Sequence, residues 1–151
     1  MRTNADLKAQ PFGVEFSGTT VVSVMVSGRK AVCANCGDSR AVLGSLKSPG
    51  YRLGKEEIKT ITVEDNEQFW VARELSQDHK ADLPEERKRI LASNGRIEHY
   101  KGAKGEDVGP ARVWLKHDQY PGLAMSRSIG DSCAHSIGVS PMPELKECDL
   151  D

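Results

Sequence analysis

The sequence predicts an α+β fold in which short antiparallel strands dominate and helices flank them. Three observations carry that expectation. Val22, Val24 and Val26 alternate with Val21, Ser23 and Met25, the period of two that marks a strand. Ser27-Gly28-Arg29-Lys30 then makes a turn and Ala31-Val32-Cys33-Ala34 resumes in small apolar residues, so the two runs form a hairpin. Further on, Pro84 at a first helical position, Glu85 and Glu86 in the first turn and Asn94-Gly95 at the end define a short helix.

The other elements follow in order. Asn35-Cys36-Gly37-Asp38 is a second turn signal and Ser39–Leu43 a third strand, which together predict a three-stranded meander. Residues 44–66 are polar and rich in turn formers, an exposed hairpin or loop with weak strand potential at Ile58–Val63. Phe69–Leu75 and Arg96–Tyr100 read as strands. Lys101–Pro110 is Gly-rich and charged, hence a mobile loop before the apolar run Arg112–Leu115. The N-terminal stretch Met1–Gln10 is polar without a clear element, and Glu147–Asp151 carries no terminating element, so both ends read as cut.

Composition narrows the classes. The 151 residues suit one domain, 38% hydrophobic and 28% charged, with a formal net charge of −1. That balance gives no electrostatic reason to expect nucleic acid or an anionic membrane as partner. No apolar run suits a signal peptide or a bilayer span, so a cytoplasmic or nuclear protein is expected. Arg87-Lys88-Arg89 reads as a solvated helix face. Cys33-Ala34-Asn35-Cys36 has a zinc-like spacing, but residues three apart on a strand point to opposite faces. Buried apolar thiols are the better reading.

Four segments, none decisive alone, occur in order. They are Ser17-Gly-Thr-Thr20 entering a strand; Asn35-Cys-Gly-Asp-Ser-Arg-Ala-Val42 at a turn; Leu75-Ser-Gln-Asp-His-Lys80 before the Glu-rich helix; and Leu123-Ala-Met-Ser-Arg-Ser-Ile-Gly-Asp131. Pro141-Met-Pro-Glu144 follows the last. The set resembles the metal-dependent serine/threonine protein phosphatases of type 2C over about Ser17 to Asp149.

That resemblance implies an antiparallel two-sheet sandwich flanked by helices, here incomplete. It implies phosphoprotein substrates and a Mg²⁺ or Mn²⁺ centre whose bound water, rather than a side chain, is the nucleophile. Two hard cations lower the pKa of water and neutralise phosphoryl oxygens, and they select carboxylates as ligands. The family's first metal aspartate, in an Asp-Gly-His-Gly-Gly stretch, has no counterpart upstream of Ser17. The later ones, in Asp-Gly-x-Trp-Asp and Asp-Asn, have none before Asp151. Residues 1–151 are therefore expected to be a partial catalytic domain, inactive alone and prone to form oligomers through exposed sheet edges. A non-catalytic, phosphatase-like binding or regulatory module is the alternative.

Asp78 is the one metal-ligand candidate, at the position where the resemblance implies a third, weaker ion; capping the following turn is its other possible role. His79 and Lys80 read as loop and solvent groups, and His99, His117 and His135 as surface residues. Asp38 reads as a turn residue accepting backbone N–H groups. Arg127 and Asp131 are expected to pair or to organise the site edge, and Trp114 to be core rather than a substrate contact.

Overall fold

A computed structural model of the chain describes residues 2–62 and 67–150, with the side chains of 61 and 62 outside the described set. Eleven strands and three helices are defined among the described residues, and every pairing between the strands is antiparallel, in accord with the α+β reading. Helix α1 (Arg2–Lys8) occupies the polar N-terminal stretch in which no element was expected. It docks through Asn4, whose buried Oδ1 accepts the Gly130 N–H at 3.0 Å.

The predicted hairpin forms. Strand β2 (Val21–Ser27) pairs with β3 (Lys30–Cys36) from Val21 opposite Cys36 to Ser27 opposite Lys30. The meander does not. β3 takes β11 (Glu144–Asp149) as its other neighbour, with Leu145 opposite Ala34, giving the order β11-β3-β2. The third predicted strand is β4 (Val42–Lys47), displaced towards the C-terminus. It pairs with β6 (Phe69–Glu74), which also takes β5 (Glu57–Thr62). The reason lies at Gly37–Ala41. Asn35 Nδ2 donates to the Gly37 and Gln77 carbonyls, and Ala41 N–H donates to Ser76 Oγ, so the chain is turned away from the hairpin towards β6. The weak strand signal at 58–63 is β5; Val63 lies outside the described residues.

Helix α2 (Pro84–Ala92) has Pro84 at its first position and Glu85 and Glu86 in its first turn. Asn94, at φ 61°, ends it by turning the chain into β7 (Gly95–Lys101). β7 pairs with β8 (Asp107–Leu115), and β8 with β9 (Pro121–Leu123). Half of the expected mobile loop at 101–110 is strand, Lys101 in β7 and Asp107–Pro110 in β8. Residues 102–106 make the turn between them, where Gly102 N–H donates to the Glu106 carbonyl at 2.9 Å. Two short strands, β1 (Gly18–Thr19) and β10 (Ile129–Gly130), pair with each other, and α3 (Ser132–His135) follows.

Ala81, Ile90, Val113, Ala134, Ile137 and Val139 form one buried cluster, with Ile97, Leu115 and Leu123 packed against it. α2, the β7-β8-β9 sheet and α3 therefore share a core. Trp114 is buried as expected, donating Nε1–H to the Glu98 carbonyl at 3.0 Å and meeting Tyr100 edge-on. The β11-β3-β2 sheet is leaner. Its central strand is buried, while Val24, Met25, Val26 and Leu145 on its outer strands are exposed. No helix among the described residues is long and apolar enough to cross a membrane.

Because Ile90 is fully buried at the centre of the core, Ile90→Val should lower unfolding free energy by about 0.5–1.5 kcal/mol, read as a lower urea midpoint at unchanged slope.

Candidate functional site

The four sequence motifs are bonded to one another. Gly18 pairs with Gly130 and Thr19 with Ile129, so the first motif is laddered to the fourth. The approach needs a glycine: Gly130 sits at φ 86°, and a Cβ there would lie 2.4 Å from the Ser17 carbonyl oxygen. Thr20 Oγ1 shares a 2.6 Å hydrogen bond with Ser39 Oγ, joining the first motif to the second. Gly37 is similarly confined, at φ 112° with a virtual Cβ 2.4 Å from Thr20 Cγ2.

His79 ties the second, third and fourth motifs together. Its ring is buried rather than in the solvent, a correction to the sequence reading. Gly37 N–H points at Nδ1 from 3.1 Å, and Nε2 lies 3.1 Å from Glu144 Oε2 of the Pro-Glu segment. Both bonds are satisfied when Nε2 carries the proton. The His79 carbonyl accepts the Ser126 N–H at 2.8 Å. A histidine next to a candidate ligand thus serves as an internal brace.

Glu86 is the hub on the other side. Its carboxylate is buried and accepts Arg89 Nη1 and Nη2 at 2.9 and 2.7 Å, Arg127 Nη2 at 2.7 Å and Ser126 Oγ at 2.5 Å. Burial pushes this carboxyl up. The hydrogen bonds from Arg89, Arg127 and Ser126 outweigh burial and hold the group far below the usual carboxylate range. Arg127 therefore pairs with Glu86 and not with Asp131. Asp131 instead sits at φ 40° before α3, with no side-chain capping bond. Arg89 is likewise no solvated face: its Nε donates to the Gly138 carbonyl and its Nη2 to that of Ser126, both at 2.8 Å.

Asp78 lies at the surface end of this assembly. Arg40 Nε donates to Oδ1 at 2.9 Å and Nη2 to Oδ2 at 3.0 Å, while Nη1 reaches Glu74 Oε1 at 2.9 Å. The Arg40 hydrogen bonds hold the Asp78 carboxyl below its ordinary value. Asp38 accepts Lys80 Nζ, so neither behaves as the sequence suggested: Asp38 binds an ammonium and Lys80 is an ion-pair partner. Of the other histidines, His117 is exposed, whereas His135 is half-buried with Nε2 3.1 Å from the Ser128 carbonyl, and burial lowers its pKa.

Cys33 and Cys36 are buried, free thiols raised in pKa by burial, unsuited to ligation or nucleophilic attack. Among the described residues no group of three or more His, Cys, Asp or Glu is placed to hold a metal ion. Asp78 has both oxygens engaged by the Arg40 guanidinium and stands without the further ligands a divalent cation needs. Sequence reasoning missed Glu86, Arg89 and Arg40. Their signal was an acid–base run and a turn arginine, indistinguishable from solvated charge without the fold.

Residues 3–151 match the family model described as protein phosphatase 2C. The chain belongs to the protein phosphatase 2C family. It is 39% identical over 143 residues to probable protein phosphatase 2C 12 of Oryza sativa subsp. japonica, covering 94% of this chain and 31% of that relative. It is 36% identical over 142 residues to probable protein phosphatase 2C 72 of Arabidopsis thaliana, covering 94% and 36%. The chain thus spans about a third of the length of these curated relatives. A serine-threonine phosphatase 2C from Toxoplasma gondii superposes with a TM-score of 0.65 at 19% identity, over 89% of this chain and 38% of that one. It shares the fold. Phosphatases of this family are generally metal-dependent, and the phosphatase 2C motifs here coincide with the bonded network just described.

Replacing Glu86 by Gln removes the charge that two arginines share, and should cost about 3–5 kcal/mol in urea unfolding. The sign of the pH effect follows from the depressed Glu86 pKa. Its stabilisation is complete above the unfolded value, about 4.3, and is lost as pH falls towards the folded one. The parent chain should therefore lose stability in acid more steeply than Glu86→Gln.

Proposed function

We propose that the protein to which this chain belongs hydrolyses phosphoserine and phosphothreonine in proteins, and that residues 1–151 are the central part of its catalytic domain. The observation that carries this reading is the hydrogen-bonded union of all four phosphatase 2C motifs, supported by the family match over residues 3–151. Mg²⁺ or Mn²⁺ is the proposed cation of the whole protein, with Asp78 as a ligand for a weakly held ion once the rest of the donor set is present. The described residues here hold no such set, so the chain by itself is proposed to be inactive. A cytoplasmic or nuclear site of action is proposed with it, supported by four cysteines that are all free thiols.

The whole protein should release phosphate from phosphoserine and phosphothreonine peptides in the presence of Mn²⁺ or Mg²⁺, and lose that activity to a chelator. Residues 1–151 alone should release none. A folded, metal-loaded whole protein without activity overturns the reading. That result would instead favour a non-catalytic binding module, which the engagement of Asp78 by Arg40 already suits.

A second copy of the chain is the proposed partner of the β2 edge. Seven residues there carry no charge, with Val24, Met25 and Val26 exposed. Such an edge invites antiparallel pairing with itself. Sedimentation velocity should give a concentration-dependent oligomer that Met25→Lys returns to monomer; a monomer throughout counts against it.

A further inference from the structure

The chain carries two serine–proline pairs, Ser48-Pro49 and Ser140-Pro141, and the fold treats them in opposite ways. Ser48 lies on the connection between β4 and β5, where residues 48–56 are all exposed and outside any strand. Ser48-Pro49-Gly50-Tyr51 is a type II turn. Pro49 holds its second position, Gly50 at φ 86° its third, and Tyr51 N–H donates to the Ser48 carbonyl at 3.2 Å. Among the described residues nothing bonds to the Ser48 hydroxyl. Ser140 is tied down. Its N–H donates to the Ser126 carbonyl and its carbonyl accepts the Ser128 N–H, both at 3.1 Å, while its Oγ accepts the Met142 N–H at 3.2 Å. Ser126 and Ser128 are themselves fully buried.

We propose that Ser48 is a phosphorylation site for a proline-directed protein kinase, and that the fold closes Ser140 to the same enzyme. Proline has no N–H, so a kinase pocket that offers no acceptor to the residue after the serine selects it. The kinase must also draw its target segment out of the protein surface, and the two segments resist unequally. Opening the Ser48 turn breaks one backbone bond and the contact of Lys47 Nζ with the Tyr51 ring, 4.8 Å from its centroid. The ladders of β4 and β5 with β6 stay intact. Exposing Ser140 breaks its bonds to two buried residues of the fourth motif. In the transfer, Ser48 Oγ bonds to the γ-phosphorus of ATP as the bond to ADP breaks, and the hydroxyl proton passes to a base of the kinase. The product places a charge of about −2 at this turn, between Lys47 and Arg52 in the chain. No residue of the Glu86 or His79 networks comes from this connection, so the inference is independent of the phosphatase reading.

The test is incubation of residues 1–151 with a proline-directed serine kinase, Mg²⁺ and ATP, with phosphate located by mass spectrometry. Peptides of residues 43–54 and 135–146 serve as unfolded controls, and both should take phosphate. In the chain, Ser48 should fill about tenfold or more faster than Ser140, the worth of the two backbone bonds that hold Ser140. Pro49→Ala, which keeps the hydroxyl, should lose the Ser48 signal, as Ser48→Ala does. No phosphate on Ser48 of the chain overturns the proposal, whether or not its peptide is modified. Equal filling of both serines in the chain, or a Ser48 signal that survives Pro49→Ala, overturns it as well. A 135–146 peptide as inert as Ser140 in the chain overturns closure by the fold, because local sequence alone would then exclude that serine. Phosphate release is not measured, so failure here is distinct from failure of the whole protein as a phosphatase.

Discussion

The rest of the structure depends on a buried carboxylate that cannot be left alone. Taking the Glu86 charge out of water would cost several kcal/mol without compensation, and three side chains converge to supply it. Their origins give the arrangement its reach. Glu86 and Arg89 are one turn apart on α2, whereas Ser126 and Arg127 come from the fourth motif. Arg89 passes on to the Gly138 carbonyl and Arg127 to that of Met142, so the chain beyond the motif is held as well. Ile90, the next residue along the helix, faces the apolar core. One helix turn therefore couples polar network and hydrophobic cluster, and neither can move without disturbing the other.

The same chemical pair has opposite consequences at the two arginine–carboxylate sites. At Glu86 the carboxylate is almost wholly covered, so the arginines are structural: no water or ion can replace them cheaply. At Asp78 the pair is open to solvent, its Coulomb attraction is screened, and its net worth is small. The fold thus separates a rigid bracing layer, formed by Glu86 and His79, from a solvent-facing ion-pair layer at Arg40, Asp78 and Glu74. His79 belongs to the first layer although it is adjacent in sequence to the second.

That separation explains what was legible. The β2–β3 hairpin and α2 follow from local rules, a period of two and an ordered set of helix signals, and both form where the sequence puts them. Strand partnership is not local. Ser39–Leu43 has strand chemistry, but whether β4 joins β3 or β6 depends on Asn35 and Ser76 bonding across the turn, which no window of sequence displays. Asp107–Pro110 looks like loop because Gly and charge mark it so, yet pairing with β7 overrides those preferences. At the candidate site, motif order revealed the family, while the roles of single residues stayed hidden. Glu86 inside a Glu-Glu-Arg-Lys-Arg run looks solvated until the fourth motif is folded onto it, and Asp131 is the only carboxylate that Arg127's own segment offers.

The two halves of the chain are unequally provided for, and the motif network spans the difference. α2, α3 and the β7-β8-β9 sheet share a fully buried apolar cluster, while the β11-β3-β2 sheet leaves large apolar side chains on its outer strands in water. A three-stranded sheet with so little cover has limited stability of its own. Polar contacts link it to the remainder: His79 with Gly37 and Glu144, Lys146 Nζ on the Glu74 carbonyl, and Arg73 on the Asp149 carbonyl. Such bonds give a definite geometry but modest net stabilisation. Local opening of this sheet is therefore expected to cost less than opening the core shared by α2, β8 and α3. It would carry with it Glu144 and Asn35, loosening His79 first and leaving the Glu86 cluster intact, because that cluster draws its partners only from α2 and the fourth motif.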